Sequence, residues 1–580
     1  MDLTTSQLVS TLLAIPAFVP ATVCTGYLFA WFTNLHRFRT RSLVERVFWS
    51  IPLSLAISTI GSVLVGRFLS LTAVVVLFVA SALGCALVLA NEARLNRIEK
   101  TKWIIGFHPL GNRAFLLAAL WIVFTVLSLV DIEWNHRLFV NVAALDQSYR
   151  VDWTESVLHT GVPPANPLYF YKQPAPMRNY YFWYVVCAAV AKMAHLNVRA
   201  VFNASCVWAG FTLAAVIGLY LKYFLAVGSR LRRQFLLSIA LVGVTGLDVA
   251  VVLFNLFCYH LSPPADLEAW SRDGIPSWLH TIFWAPHHLV SMLCCMFAFL
   301  LAWIAPRTGT REQAFSVISI AFALSSAFGL SIYVAFGFFL VALVWAVWQV
   351  TIERHGKPAL LLACGGAGAL VLLIPYLYQL THSISGSSAR PTGSPAALFS
   401  FAVRQMIPPD GLMATRIFSS LPLSTVATAN LARVLLLAPG YALELGFFFA
   451  VFFTFLVPAW RGRVPLTSAQ RCLLFIAATM TPFMTFIRSG VLQTNDFAWR
   501  AALFVQFPLL LLATELVTSW RVADRKPDAP TAIAGLPGAT PRWLRSLASL
   551  ALVIGIFSTS TQAFMFRFLI PLGDLAAHPS

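Results

Sequence analysis

The sequence predicts an all-α polytopic membrane protein with about 14 transmembrane helices. Three observations predict it. Of 580 residues, 59% are hydrophobic and 11% charged, and the mean hydropathy is +0.78. Soluble domains carry about 25% charged residues, so a soluble multidomain protein is excluded. Disorder is excluded too, because it needs low hydrophobicity. Apolar runs near the length of a membrane helix recur along the whole chain. Lys and Arg then cluster between those runs in strict alternation.

The runs fall near 8–32, 48–66, 70–90, 113–131, 199–225, 235–257, 284–304, 314–329, 331–351, 357–378, 436–459, 471–488, 500–520 and 546–566. The basic clusters are His36 to Arg41, Arg94 to Lys102, Arg230 to Arg233, Arg307 to Arg311, Arg354 to Lys357, Arg461 to Arg463 and Arg521 to Arg545. Each follows an odd-numbered span. One orientation therefore puts them all inside and both ends of the chain outside. The alternation depends on 180–194, an apolar run too short for a comfortable span. It is read as a re-entrant or interfacial helix, anchored by Tyr180, Tyr181, Trp183 and Tyr184 in the manner of an aromatic belt. The Pro-, Ala- and Gly-rich stretch 522–541 reads as a linker.

The same orientation explains the net charge of +18 without nucleic acid, because cytoplasmic loops collect Lys and Arg. The nine cysteines lie almost all in apolar runs, and no CxxC pair suggests zinc or a disulfide framework. No Lys or Arg precedes the first apolar run, so it does not read as a cleavable signal peptide. No Walker A motif occurs, which argues against an ATP-driven pump.

The long loops, near 132–198, 258–283 and 379–435, lie outside, with a short fourth at 488–499. Chemistry is expected there. The first loop carries Asp131, Glu133, Asp146, Asp152 and Glu155. Asp131 and Glu133 read as solvated. Asp146 stands between an apolar segment and an amphipathic one, which suggests a cleft at membrane level, where an ionisable group is costly unless it works. A rigid turn follows, Gly161-Val162-Pro163-Pro164-Ala165-Asn166-Pro167. Then come Lys172, Arg178 and the run Asn179-Tyr180-Tyr181-Phe182.

This succession of an Asp, an amphipathic helix, a G-x-P-P turn and an aromatic YYF helix resembles the GT-C superfamily. Its members are membrane glycosyltransferases that use polyprenyl-phosphate-linked sugars. The resemblance covers roughly 110–300 by motif and the rest by topology. It implies a GT-C-like core at 111–378, with a catalytic outer loop at 132–198. Residues 1–110 are then an N-terminal three-helix extension, 379–435 an outer loop, and 436–580 C-terminal helices. It also implies that Asp146 is the catalytic Asp and Asp248 its second acid. The chain departs from the pattern in one respect: Gln147, not a second acid, follows Asp146.

Further candidates stand on the same face. Trp284-Ala285-Pro286-His287-His288 opens a span from outside, and His287 and His288 are expected to bind sugar or phosphate. Asp266, Glu268 and Asp273 flank Trp270 and read as solvated. Asp496 and Arg500 are spaced i,i+4 at a helix start, which suits an ion pair. Arg500, Arg178 and Lys172 are candidate phosphate partners, with Arg404 and Arg488 as further cations, because guanidinium grips phosphate bidentately.

The function expected is transfer of a sugar from a polyprenyl-phosphate donor to a glycan, lipid or protein acceptor on the outer face. Asp146 serves as general base and Asp152, Lys172, Arg178, His287, His288, Asp496 and Arg500 bind substrate. A divalent ion, Mg or Mn, is compatible with Asp146, Asp248 and a His but is not required. The alternative is a secondary transporter or flippase of a lipid-linked saccharide, which predicts broken helices and internal repeats. An abundance of Arg, Ala and Leu points to a bacterial-type cytoplasmic membrane.

Overall fold

The computed structural model describes residues 2–95, 109–134, 136–168, 175–262, 264, 266–385, 399–406, 425–461, 466–489, 495–525 and 542–577. The chain is a multi-pass helical membrane protein. Its helices are α1 (Thr5–Ala17), α2 (Thr25–Thr33), α3 (Leu43–Phe68), α4 (Leu71–Arg94), α5 (Pro109–Leu129), α6 (Ala144–Thr160), α7 (Phe182–Ala194), α8 (Val198–Leu219), α9 (Leu231–Val242), α10 (Asp248–Tyr259), α11 (Trp278–Trp284), α12 (Pro286–Ile304), α13 (Thr310–Leu330), α14 (Ile332–Thr351) and α15 (Lys357–Ser385). They continue as α16 (Thr425–Leu435), α17 (Leu437–Leu445), α18 (Phe447–Trp460), α19 (Ser468–Phe486), α20 (Asp496–Ala501), α21 (Leu503–Arg525) and α22 (Arg542–Ala577).

Ten helices among the described residues are long and apolar enough to cross a membrane, or eleven if one bent pair counts as a span. These ten coincide with ten of the predicted runs. The run 436–459 is the bent pair, α17 and α18, which meet at 112°. The break falls on Gly446, whose φ of +50° suits a residue without a Cβ. The run 235–257 is split into α9 and α10 around Gly243 and Gly246. Within 113–131 the apolar helix is shorter, Phe115–Leu129. The run 471–488 is helical as α19 but is not among the ten.

The helices pack as two units. Unit 1 comprises 1–224, 282–335 and 346–390; unit 2 comprises 225–281, 336–345 and 391–580. Residues 1–95 of the expected N-terminal extension thus pack within unit 1.

In unit 1, α3, α8, α12 and α13 form the centre, and α15 packs along α13. Local caps set the helix starts. The Ser70 hydroxyl accepts from the Ala73 amide and the Asn197 side chain from the Arg199 amide, so each supplies one of the missing N-terminal acceptors. Strand β1 (Asp2–Leu3) pairs antiparallel with β2 (Ile132–Trp134), which pairs with β3 (Arg137–Phe139). Four predicted spans separate β1 from β2. An even number returns the chain to one face, so the pairing agrees with the charge-derived topology.

Helix α7 fills the short run 180–194. Its ends meet residues at span ends that the charge count places on one face: the Tyr181 hydroxyl donates to Gln379 at 3.0 Å and the Lys192 ammonium to Thr72 at 2.9 Å. Both ends of α7 therefore stand on one side, as the charge count requires. The aromatic residues are not a belt, however. Trp183 is 1% exposed and Tyr181 and Tyr184 are 0% exposed. They are enclosed because α1, α3, α4, α6, α8 and α13 surround the helix. An aromatic run suits a protein interior as well as a headgroup layer.

In unit 2, the span Asp496–Trp520 is buried along its apolar stretch, among α9, α18 and α19. Helix α19 starts at a capping box in which Thr467 and Gln470 satisfy each other's amides. Strand β4 (Phe399–Phe401) pairs with β5 (Ile487–Ser489). The two helix breaks of this unit meet. The Leu247 amide donates to the Leu443 carbonyl at 2.6 Å, and a Cβ on Gly246 would lie 2.5 Å from the Glu444 carbonyl oxygen.

Candidate active site in the first outer loop

The site in unit 1 begins at a helix start. Asp146 lies in the first turn of α6, where a carboxylate suits the helix dipole. Gly161, at φ +82°, ends the helix, and the turn after it is held by local bonds. The Ser156 hydroxyl donates to the Ala165 carbonyl at 2.6 Å, and the Met177 amide to the Pro164 carbonyl at 2.8 Å. The chain is then delivered to Tyr180 and α7.

Two motifs far apart in sequence meet at Asp146. The Trp284 indole N–H donates to Asp146 Oδ2 at 2.5 Å, and the Gln147 side chain donates through Nε2 to the Phe283 carbonyl at 3.1 Å. Just beyond, at the start of α12, His287 and His288 are each 1% exposed. The Tyr180 ring stacks on His287 at 5.3 Å, Tyr184 lies 5.8 Å from the same ring, and His288 Nδ1 is 2.8 Å from the Ser331 hydroxyl. The first loop and the Trp284–His288 element therefore form one cluster.

Within it, the Asp146 carboxylate is the accessible group. Its side chain is 43% exposed. Arg150, one turn on, is turned inward with a side chain 10% exposed, and its Nη2 is 3.7 Å from Asp146 Oδ2. That is longer than a charge-assisted hydrogen bond of about 2.7–2.9 Å. Arg150 Nη1 and the Tyr184 hydroxyl have no hydrogen-bond partner among the described residues. Sequence reading missed Arg150, although its i,i+4 spacing from Asp146 was visible.

Of the other candidates in this loop, Asp152 and Arg178 are exposed, and Lys172 lies outside the described residues. Asp131 is not solvated as expected. It is 4% exposed and pairs with Arg199 at 2.6 Å, tying the start of the loop to α8. Glu133 is exposed in β2.

The candidates in unit 2 form a second polar cluster. Asp248 is 3% exposed and accepts from the Trp270 indole at 2.9 Å. Asp266 and Glu268 are largely enclosed, with side chains 18% and 10% exposed, against the solvated reading, and His280 stands between them at 3.5 and 3.4 Å. Glu268 also accepts from the Ser277 amide at 3.1 Å. Burial, and then the charges of Asp266 and Asp248, push the Glu268 carboxyl well above the ordinary range. Asp273 is buried and accepts from the Gln405 amide. Arg404, 1% exposed, donates to the Asp273 and Gly274 carbonyls, both at 2.6 Å, so it braces backbone. Asp496 and Arg500 approach to 4.0 Å, and the Arg500 guanidinium lies over Trp499 at 5.0 Å.

Among the described residues no three His, Cys, Asp or Glu side chains converge closely enough to hold a metal ion. The chemistry proposed for the site uses no metal ion.

No family model and no curated protein matches the chain. Among solved structures it is similar to the Archaeoglobus fulgidus oligosaccharyltransferase in the apo form. The identity is 14% and the TM-score 0.46, over 80% of this chain and 56% of that one. It is also similar to the same enzyme tethered through a disulfide bond to an acceptor peptide containing the NVT sequon. There the values are 13% and 0.44, over 78% and 55%. The chain thus spans little more than half the length of that enzyme.

Proposed function

We propose that the chain is a membrane glycosyltransferase that moves a sugar from a polyprenyl-phosphate donor to a glycan, lipid or protein acceptor on the outer face. Asp146 is the general base. The observation that carries this reading is the half-exposed Asp146 carboxylate, fixed by the Trp284 indole at the edge of a buried aromatic and His cluster. One oxygen is held, and the group remains open to an acceptor.

The chemistry needs little more. Asp146 takes the proton of an acceptor hydroxyl as its oxygen attacks the anomeric carbon. The bond from that carbon to the phosphate oxygen breaks, and the electron pair leaves on the polyprenyl phosphate. Nearby cations stabilise that anion. A single displacement needs no covalent intermediate.

The test is transfer from radiolabelled polyprenyl-phosphate sugars in membranes carrying wild type or Asp146→Asn. The expected result is transfer by wild type and a loss of about 10²–10⁴-fold in the variant at equal expression, the usual worth of a general base. Equal transfer by both would remove Asp146 from catalysis and redirect the search to Asp248.

One observation favours the alternative, a saccharide transporter or flippase. Unit 2 contains two broken helices whose breaks meet, with the buried acids Asp248 and Glu444 beside them. Transporters place such breaks at their binding sites. Saccharide uptake into proteoliposomes, with no transfer from any donor, is the result that reading requires.

A further inference from the structure

Arg150 is 8% exposed as a residue and carries a charge into the interior of unit 1. A buried guanidinium is costly unless a close counter-ion and a full set of acceptors compensate it. Its one paired carboxylate, Asp146, is 3.7 Å away and already holds the Trp284 indole on the same oxygen. Nη1 has no acceptor among the described residues. Tyr184, wholly buried on α7, lies beside Arg150, and its hydroxyl has no partner either. Two helices thus set a guanidinium against a phenol hydroxyl, and among the described residues no anion lies at hydrogen-bonding distance of Nη1 or of that hydroxyl.

We propose that Arg150 and Tyr184 form a binding site for a phosphate ester, adjoining the Asp146 carboxylate. The site supplies what the geometry lacks, an anion with several acceptor oxygens, for which guanidinium is the best-matched side chain. It also bears on Asp146. Arg150 leans towards Asp146 at 3.7 Å; with a phosphate on Arg150, the guanidinium turns to the ligand and the carboxylate is left to the acceptor hydroxyl. Occupancy by the anion and availability of the base are then linked. This inference rests on the glycosyltransferase reading for the identity of the ester, a polyprenyl phosphate, but not for the existence of the site.

The experiment uses the full chain purified in detergent. Binding of polyprenyl phosphate without sugar, of phosphatidylglycerol and of inorganic phosphate is measured by calorimetry for wild type, Arg150→Gln, Arg150→Lys and Tyr184→Phe. Wild type is expected to prefer polyprenyl phosphate. Arg150→Gln should bind it at least about tenfold more weakly, the scale of one charge-assisted hydrogen bond. Arg150→Lys should recover part of the loss, and Tyr184→Phe should weaken binding a few-fold. Where transfer is measurable, Arg150→Gln should raise KM for the donor more than it lowers kcat. A folded Arg150→Gln that binds as tightly as wild type overturns the site, and if it still transfers sugar the enzymatic reading survives alone. Arg150-dependent binding without transfer keeps the site and removes the enzymatic reading. Equal binding of phosphatidylglycerol overturns the assignment to the polyprenyl ester. Should Arg150→Gln fail to fold, Arg150→Lys and Tyr184→Phe decide, and unchanged binding in both overturns the proposal.

Discussion

A few polar side chains in this protein carry unusual burdens, and each makes a measurable prediction. Glu268 is largely desolvated among acids, so its carboxyl ionises at higher pH folded than unfolded. Between the two values the folded state holds the extra proton, and stability falls as pH rises through that window. Glu268→Gln keeps an acceptor for the Ser277 amide and removes the titration. It should therefore raise the melting temperature at pH 8 and leave it near wild type at pH 4, measured by thermal unfolding in detergent. His36 carries the opposite sign. Burial, and then the Arg41 charge, lower it to about 4 from the usual 6.5. The unfolded chain binds more protons across that interval, so acidification from pH 6.5 to 4 destabilises wild type. His36→Gln should flatten that fall in a pH series of melting temperatures. Asp131, sealed against Arg199, is a third case. Asp131→Ala should cost about 1–3 kcal/mol, since it leaves a guanidinium with fewer acceptors. An unchanged melting temperature would show that Arg199 finds water instead.

At the scale of elements, the breaks in unit 2 depend on glycine. A Cβ at Gly246 would meet the backbone of Glu444, which cannot swing away as a flexible side chain would. Gly246→Ala should therefore cost about 1–3 kcal/mol, the usual range for overpacking, and lower the melting temperature without altering binding to the first loop. A neutral result would mean that the two breaks part easily. These breaks also mark where sequence reading stops. The runs 235–257 and 436–459 are apolar enough to look continuous, and no local signal says that Leu247 will bond to Leu443. Helix α6 was legible, because its periodicity, the acid in its first turn and Gly161 at its end all agree. The interior of α7 was not. Its aromatic residues fit a bilayer interface and a protein core equally, and only the neighbours decide. The same holds for Asp266 and Glu268, which read as solvated until His280, a distant residue, arrives between them.

For the whole molecule, the helical membrane class and ten of the fourteen runs were readable from charge and apolar length alone, since a full-length span answers to the bilayer, whereas the other four runs are broken, short or less apolar in the structure. What Asp146 touches was not readable, because Trp284 reaches it from 138 residues further along the chain. The orientation makes its own prediction. Cysteines introduced singly as Asn166→Cys and Ser229→Cys should differ in intact cells. A membrane-impermeant maleimide should label position 166 directly and position 229 only after permeabilisation. Labelling of both from outside would overturn the alternation, and labelling of position 166 only after permeabilisation would move the proposed chemistry to the other face.

The enclosure of α7 also dictates how the protein can be made. The Phe182 ring rests where a Cβ on Gly329 would stand, so α7 is finished only when α13 arrives. At about 5–20 residues per second the ribosome needs on the order of ten seconds to deliver that wall. Through that interval α7 waits with an apolar side uncovered, as a guest of lipid or of an insertion factor. Its final seat is assembled around it by later helices. Nascent chains arrested before α13 should therefore be especially vulnerable to membrane proteases, and chains arrested after it should be spared.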